Sequence, residues 1–269
     1  MIATATGSVF VGAADRFFSM RTDMIEALLS ADVVHPAKWQ QLDVTESPAH
    51  ATHELLNTTL WYDMPATTED AQLWMEPDLP WAESHFRERV LGLPLNPGVE
   101  HRNWPYHANG QALHLKPVYD YSTGMMNQGY DHNYMERFWA KKLYSLQGYR
   151  FSVGDLGSVV TQLRDDPSTR QAFLPVWFPE DTGAQEGQRV PCTLGYHFII
   201  RENRLHIVYY LRSCEIYRHF TNDAYMAVRL AQWMKDQIAI RGLQLGQLTM
   251  QITSLHAFVG DVEKIKDML

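Results

Sequence analysis

An α+β fold is what this sequence predicts, on three observations. Residues 193–200 and 205–211 read as two strands around a polar turn at Arg201-Glu202-Asn203, with Leu205, Ile207, Tyr209 and Leu211 recurring every second residue. Asn222 to Arg241 carries Met226, Leu230, Trp233 and Gln237 as one stripe at helical spacing. Strands and helices then mix along the chain without a regular alternating repeat.

The elements follow in order. Asp23 to Ser30 reads as a short helix with Ile25, Leu28 and Leu29 on one face. Residues 35–50 are polar and loop-like, and Leu55 to Tyr62 has strand character. The stretch 92–133 is rich in Gly, Pro, Asn and His and reads as ordered loops, which carry function more often than they idle. Asp155 caps a helix in which Leu156, Val159, Val160 and Leu163 follow the 3.6 period, stopping near Asp166-Pro167. Arg170 to Phe178 reads as a strand. The helix from Asn222 stops at Gly242, Leu248, Met250 and Ile252 alternate as a further strand, and Asp261 to Leu269 forms a last short helix.

Composition narrows the function. At 269 residues and 45% hydrophobic the chain can bury a substantial core. A net charge of -8 argues against a nucleic-acid footprint, which needs a basic face, but leaves a free nucleotide open, since a local arginine cluster suffices for one phosphate. The only cysteines are Cys192 and Cys214, with no disulfide framework or zinc spacing. That predicts a reducing, cytoplasmic setting. No secretory segment and no membrane-spanning apolar run is visible. His101, His107 and His114 lack close ligand pairing, so no metal is expected.

The chemistry centres on Arg189-Val-Pro-Cys192 and Arg212-Ser213-Cys214-Glu215. A hairpin brings the end of its second strand beside the start of its first, so Arg212 and Ser213 meet Cys192. Positive charge stabilises a thiolate and lowers its pKa, making Cys192 a candidate nucleophile. Arg212 offers a planar fork suited to phosphate and Ser213 a hydroxyl. The plainer alternative is that Cys192 is a small buried hydrophobe.

Pro-Cys, a hairpin, Arg-Ser-Cys-acid and then a helix with Tyr225 in its first turns together resemble the thymidylate synthase superfamily. Asp166-Pro-Ser-Thr-Arg170-Gln171 is similar to its Asp-Pro-x-Ser-Arg-Arg segment, Asn133-Tyr134-Met-Glu-Arg-Phe-Trp139 to its active-site tyrosine region, and Ser254-Leu-His256-Ala-Phe258 to its sugar-contacting Asp-x-His-x-Tyr motif. The resemblance covers about residues 80–260, is strongest over 153–235, and leaves 1–80 as the divergent part of a single domain, 1–269. It implies a mixed sheet packed with helices, one sheet face forming an obligate homodimer with shared active sites. It further implies a pyrimidine nucleoside monophosphate as substrate and 5,10-methylenetetrahydrofolate as carbon donor. Carried residue by residue, it makes Cys192 the nucleophile and Tyr134 a catalytic tyrosine. Arg212, Ser213, His256 and a second subunit's Arg170 become substrate ligands, and Trp104 and Glu215 line the folate side. The catalytic glutamate falls on Glu83 or, second, Glu88. The alternative for those two is an exposed helix face carrying Glu88 and Arg87.

Departures from the pattern bear on the reaction. Gln171 replaces the second arginine, Thr193 the histidine after the nucleophile, and Phe258 a sugar-contacting tyrosine. The sequence ends thirteen residues after His256, where the family continues into a tail that closes over the folate. Keeping water out favours reduction to a methyl group; water attack gives hydroxymethyl. The expectation is therefore the hydroxymethylase branch, with phage dCMP and dUMP and antibiotic-pathway CMP enzymes as its examples, ahead of thymidylate synthesis or a silent nucleotide-binding homologue. Base choice falls to Asn222 or Asp223, both natural helix caps. A carboxyl group, protonated or suitably bridged, suits cytosine and an amide suits uracil, and the balance leans to Asp223 and dCMP. A cysteine hydrolase is disfavoured because His197, five residues along the same strand, points away from Cys192.

Overall fold

A computed structural model describes residues 2–4, 7–12, 16–39, 42–106, 115–120, 125–139, 142–143, 150–151, 155–183 and 188–269. His107 and His114 lie outside them.

In chain order the elements are β1 (Ile2–Thr4), β2 (Gly7–Gly12), α1 (Phe17–Leu29), β3 (Val33–Val34), β4 (Lys38–Trp39), β5 (Leu42–Asp43), β6 (Thr52–Asp63), α2 (Thr68–Met75), α3 (Trp81–Arg89), β7 (Lys116–Asp120) and β8 (Met125–Gly129). They continue with α4 (Tyr134–Phe138), β9 (Lys142–Leu143), β10 (Arg150–Phe151), α5 (Leu156–Asp165), β11 (Phe173–Pro175), β12 (Thr193–Arg201), β13 (Arg204–Glu215), α6 (Thr221–Ile238), β14 (Gln244–Phe258) and α7 (Val262–Lys266).

The main sheet runs β1-β2-β6-β14-β13-β12-β11, with β3 also on β6. It is mixed: β13 and β14 are parallel, as are β2 and β6, and the other pairs are antiparallel. The parallel pair needs a crossover, which α6 supplies. Alternation sorts the two faces. Leu205, Ile207, Tyr209 and Leu211 of β13, Leu248, Met250 and Ile252 of β14, and Tyr196 and Phe198 of β12 are buried in one core with α1, α5 and α6. Each such aliphatic side chain contributes about 1.5–3 kcal/mol of burial. The opposite face leaves Leu56, Trp61 and Phe173 exposed.

Several boundaries differ from the sequence reading. α1 starts at Phe17, because Phe17, Met20 and Met24 are buried in the same core as Ile25 and Leu28. The strand expected over 170–178 is only Phe173–Pro175, since Val176 and Trp177 both donate to the Leu194 carbonyl and break the ladder. α6 ends at Ile238, with Ala239 taking the left-handed cap expected of Gly242. The stretch read as loops contains the hairpin β7–β8. Among the described residues no helix is long and apolar enough to cross a membrane.

Candidate active site around Cys192

Cys192 stands one residue before β12. Antiparallel pairing brings the far end of β13 back to it, and the Arg212 amide donates to the Cys192 carbonyl at 2.9 Å. The Arg212 side chain is anchored as well. Its Nε donates to the Pro191 carbonyl at 2.8 Å and Nη2 to the Val190 carbonyl at 3.2 Å, leaving Nη2 3.8 Å from the Cys192 sulfur. The residue is open to solvent. The protein around it still desolvates a thiolate, and burial pushes the thiol above its ordinary value despite Arg212 and Arg189, with Asp223 adding to the rise. The expectation of a lowered pKa is corrected accordingly: the two arginines reduce the rise without reversing it.

Beneath the sulfur lie hydroxyls. Thr193 is fully buried, and its Oγ1 lies 2.8 Å from Tyr209 Oη and donates to Tyr134 Oη at 3.3 Å. Threonine thus stands where the sequence pattern expects histidine and ties two tyrosines to the strand that carries the thiol. Burial holds Tyr134 protonated, and the charge of Cys192 adds to this. The Arg89 guanidinium, on α3, lies 4.3 Å over the Tyr134 ring.

α6 separates the two candidates for base recognition. Asn222 turns inward: its amide donates to Asp78 Oδ2 at 2.7 Å and its carbonyl accepts the Asp78 amide at 3.0 Å. Asp223, about 100° further around the helix, faces the thiol cluster, where Cys192, Tyr134, Tyr196 and Tyr209 all feel its charge. Burial raises Asp223 to about 6, and Arg89 pulls the other way.

Register places the remaining groups. In the parallel β13–β14 ladder Ser213 pairs with Ser254 and Glu215 with His256. Ser213 Oγ lies 3.4 Å from His256 Nδ1, and burial keeps His256 below the usual histidine value. The π-type turn Ile216–Phe220, which feeds α6, carries His219, a solvent-open residue stacked on Trp104 (5.3 Å, 19°). Although the residue is open to solvent, the protein around its ring desolvates the imidazolium, and this, followed by the nearby His256, Arg189, Arg218 and Arg89, lowers His219 to about 4.

The sequence-nominated residues divide. Cys192, Tyr134, Arg212, Ser213, Asp223 and His256 gather here, with Trp104 one ring away through His219. Glu215 is committed locally: buried, it accepts the Tyr217 and Arg218 amides at 2.9 and 2.7 Å. Glu83 accepts from Tyr225 Oη (2.8 Å), Arg229 Nε (2.9 Å) and Arg87 Nε (2.8 Å). Burial opposes its ionisation, but these bonds bring Glu83 down to about 2. Glu88 is buried, not on the exposed face, and accepts the Val99 amide. It packs so tightly on Gly98 that a Cβ there would lie 2.2 Å from the carboxylate. Neither glutamate bonds into the thiol cluster; the α3 residue that reaches it is Arg89. Arg170 is exposed, its carbonyl 3.0 Å from His197 Nε2. His197 itself lies five residues from Cys192, about 17 Å along a strand.

Sequence reasoning missed Arg89 and His219. Neither carried a sequence signal, since His219 falls between the quoted motifs and Arg89 among the charged residues of α3. Among the described residues no three His, Cys, Asp or Glu gather as metal ligands. His101 bonds the Gly98 carbonyl and packs on Tyr130.

Known proteins resemble this chain. A "Putative thymidylate synthase" of Methanococcoides burtonii is 26% identical over 148 residues, 55% of this chain and 62% of its own. One of Methanothermobacter thermautotrophicus is 27% identical over 120 residues, 44% and 51% respectively. The chain thus spans about half to three fifths of these relatives. The thermostable thymidylate synthase A from Bacillus subtilis superposes with a TM-score of 0.62 over 94% of this chain and 83% of that one, at 18% identity, which shows the shared fold. The model of the thymidylate synthase family matches residues 69–269, three quarters of the chain, so the protein belongs to that family.

Proposed function

We propose that the protein is a pyrimidine nucleotide 5-hydroxymethyltransferase using 5,10-methylenetetrahydrofolate, with dCMP favoured over dUMP or CMP. The observation that carries this reading is the solvent-open residue Cys192, its sulfur 3.8 Å from the anchored Arg212 fork and within the field of the Asp223 carboxyl. Addition of the thiolate to C6 makes C5 of the pyrimidine nucleophilic. The folate supplies a one-carbon unit at the oxidation level of formaldehyde. C5 bonds to that carbon; loss of the C5 proton with departure of tetrahydrofolate leaves an exocyclic methylene, and addition of water to it with departure of the thiolate from C6 gives the 5-hydroxymethyl product.

Each neighbour has a part. Arg212, Arg189 and Ser213 present donors to the phosphate, and His256 serves the sugar. Trp104 stacked on His219, and Tyr106 edge-on to Tyr217, offer flat surfaces that suit a pterin ring. Neutral His219 can accept a proton from the attacking water, which favours hydration over reduction. Exposed Arg170 and the open sheet face with Leu56, Trp61 and Phe173 fit a homodimer in which the partner completes the phosphate clamp.

The names of the archaeal relatives favour a second reading, reductive methylation of dUMP. A product assay separates the two. dCMP, dUMP and CMP are each incubated with methylenetetrahydrofolate. Tetrahydrofolate with a hydroxymethylated nucleotide supports hydration. Dihydrofolate with a methylated nucleotide overturns it.

A further inference from the structure

Arg89 is a buried cation that forms no ion pair among the described residues. It is 5% exposed, and its one side-chain hydrogen bond among the described residues runs from Nε to His85 Nε2 at 3.1 Å. No carboxylate among those residues forms an ion pair with it. Its position is fixed from two sides: the Arg89 carbonyl accepts Trp139 Nε1 at 2.8 Å, and the guanidinium lies on Tyr134. A buried guanidinium that lacks acceptors is costly, so the arrangement asks for acceptors from outside the chain. Asp223, in the first turn of α6, lies close enough for its charge to act on the same tyrosine and the same sulfur, and its carboxyl accepts no hydrogen bond among the described residues. It asks for a donor. The two charges sense each other yet do not pair, so they address different atoms of one ligand.

We infer that Arg89 and Asp223 together read the base, the guanidinium donating to N3 and O2 of a cytosine and the carboxylate accepting from its 4-amino group. An acceptor followed by donors is the pattern guanine shows to cytosine, here built from two side chains. Uracil in the same pose sets O4 against the carboxylate and N3–H against the guanidinium, two mismatches. This inference rests on the nucleotide reading above and adds to it a specificity residue outside the family motifs.

The test is kcat/KM for dCMP and for dUMP in the wild type, Arg89→Met, Arg89→Lys and Asp223→Asn, with circular dichroism melting of each. Arg89→Met is expected to lower the dCMP value roughly 10- to 100-fold and the dUMP value far less, with Arg89→Lys between. Loss of packing alone would lower both nucleotides together. A folded Arg89→Met with an unchanged dCMP-to-dUMP ratio overturns the inference. Should that variant not fold, Asp223→Asn decides: a lost dCMP preference supports the pair and a retained one overturns it. If the wild type turns over neither nucleotide, the hydroxymethylase reading falls on its own, and the same ratio measured as equilibrium binding still decides Arg89.

Discussion

The Arg212 guanidinium stands 3.8 Å from the Cys192 sulfur while its other contacts go to the carbonyls of Pro191 and Val190. A cation so anchored acts on the thiol without being drawn away by a competing carboxylate. Arg212→Met therefore raises the thiol pKa further above its ordinary value. Iodoacetamide modification of Cys192 followed against pH is expected to move its midpoint upward in the variant. An unmoved midpoint would remove Arg212 from thiol activation.

The family resemblance puts the catalytic glutamate first on Glu83, and the surroundings of Glu83 argue for a structural part. Its pKa is depressed to about 2, so the stability it contributes is complete above the unfolded value near 4.5 and is lost as pH falls through about 2. Glu83→Gln is expected to cost about 2–4 kcal/mol in urea unfolding at pH 7. The gap to wild type should narrow as pH falls below 4.5, and the folded variant should keep most of its turnover. Abolished turnover at unchanged stability would restore Glu83 to the chemistry.

The ionisation of Asp223 gives base choice a pH signature. With the carboxyl raised to about 6, it becomes a charged acceptor as pH climbs through that value. The dCMP-to-dUMP ratio of kcat/KM should rise from pH 5 to pH 7. It should lie flat in Asp223→Asn, and comparing two nucleotides cancels the ionisation of their shared phosphate. A ratio that falls over the same range would mean that the protonated acid donates to N3.

Thr193 holds Tyr209 and Tyr134 through one buried hydroxyl. Thr193→Val keeps the shape and removes the hydroxyl that both tyrosines bond, so it should lose about 1–3 kcal/mol by urea titration. Thr193→Ser should recover most of that. Equal losses in both variants would assign the effect to the methyl group.

What the sequence made legible follows from the range of the interactions involved. The β12–β13 hairpin and the helix α6 were readable because their periods come from neighbours within a few residues, although the stripe read for α6 ended on Gln237, which is exposed. Cys192, Arg212 and Ser213 were readable for the same reason, since a hairpin's register dictates who meets whom. The different surroundings of Asn222 and Asp223 were not, because the asparagine amide is claimed by Asp78, 144 residues away. Arg89 stayed hidden among the charged residues of α3, where nothing local tells a solvated arginine from one lying on a buried tyrosine. The placing of Glu88 depends on a loop at Gly98 that packs against it with no room for a side chain.

The most direct measurement concerns the sulfur. Protein is mixed with 5-fluoro-dCMP, or 5-fluoro-dUMP in parallel, together with methylenetetrahydrofolate, then denatured and weighed by mass spectrometry. A mass increase equal to nucleotide plus folate, present in the wild type and lost in Cys192→Ala, is the expected result. Unmodified wild-type protein with both nucleotides, or an adduct that survives Cys192→Ala, would contradict it.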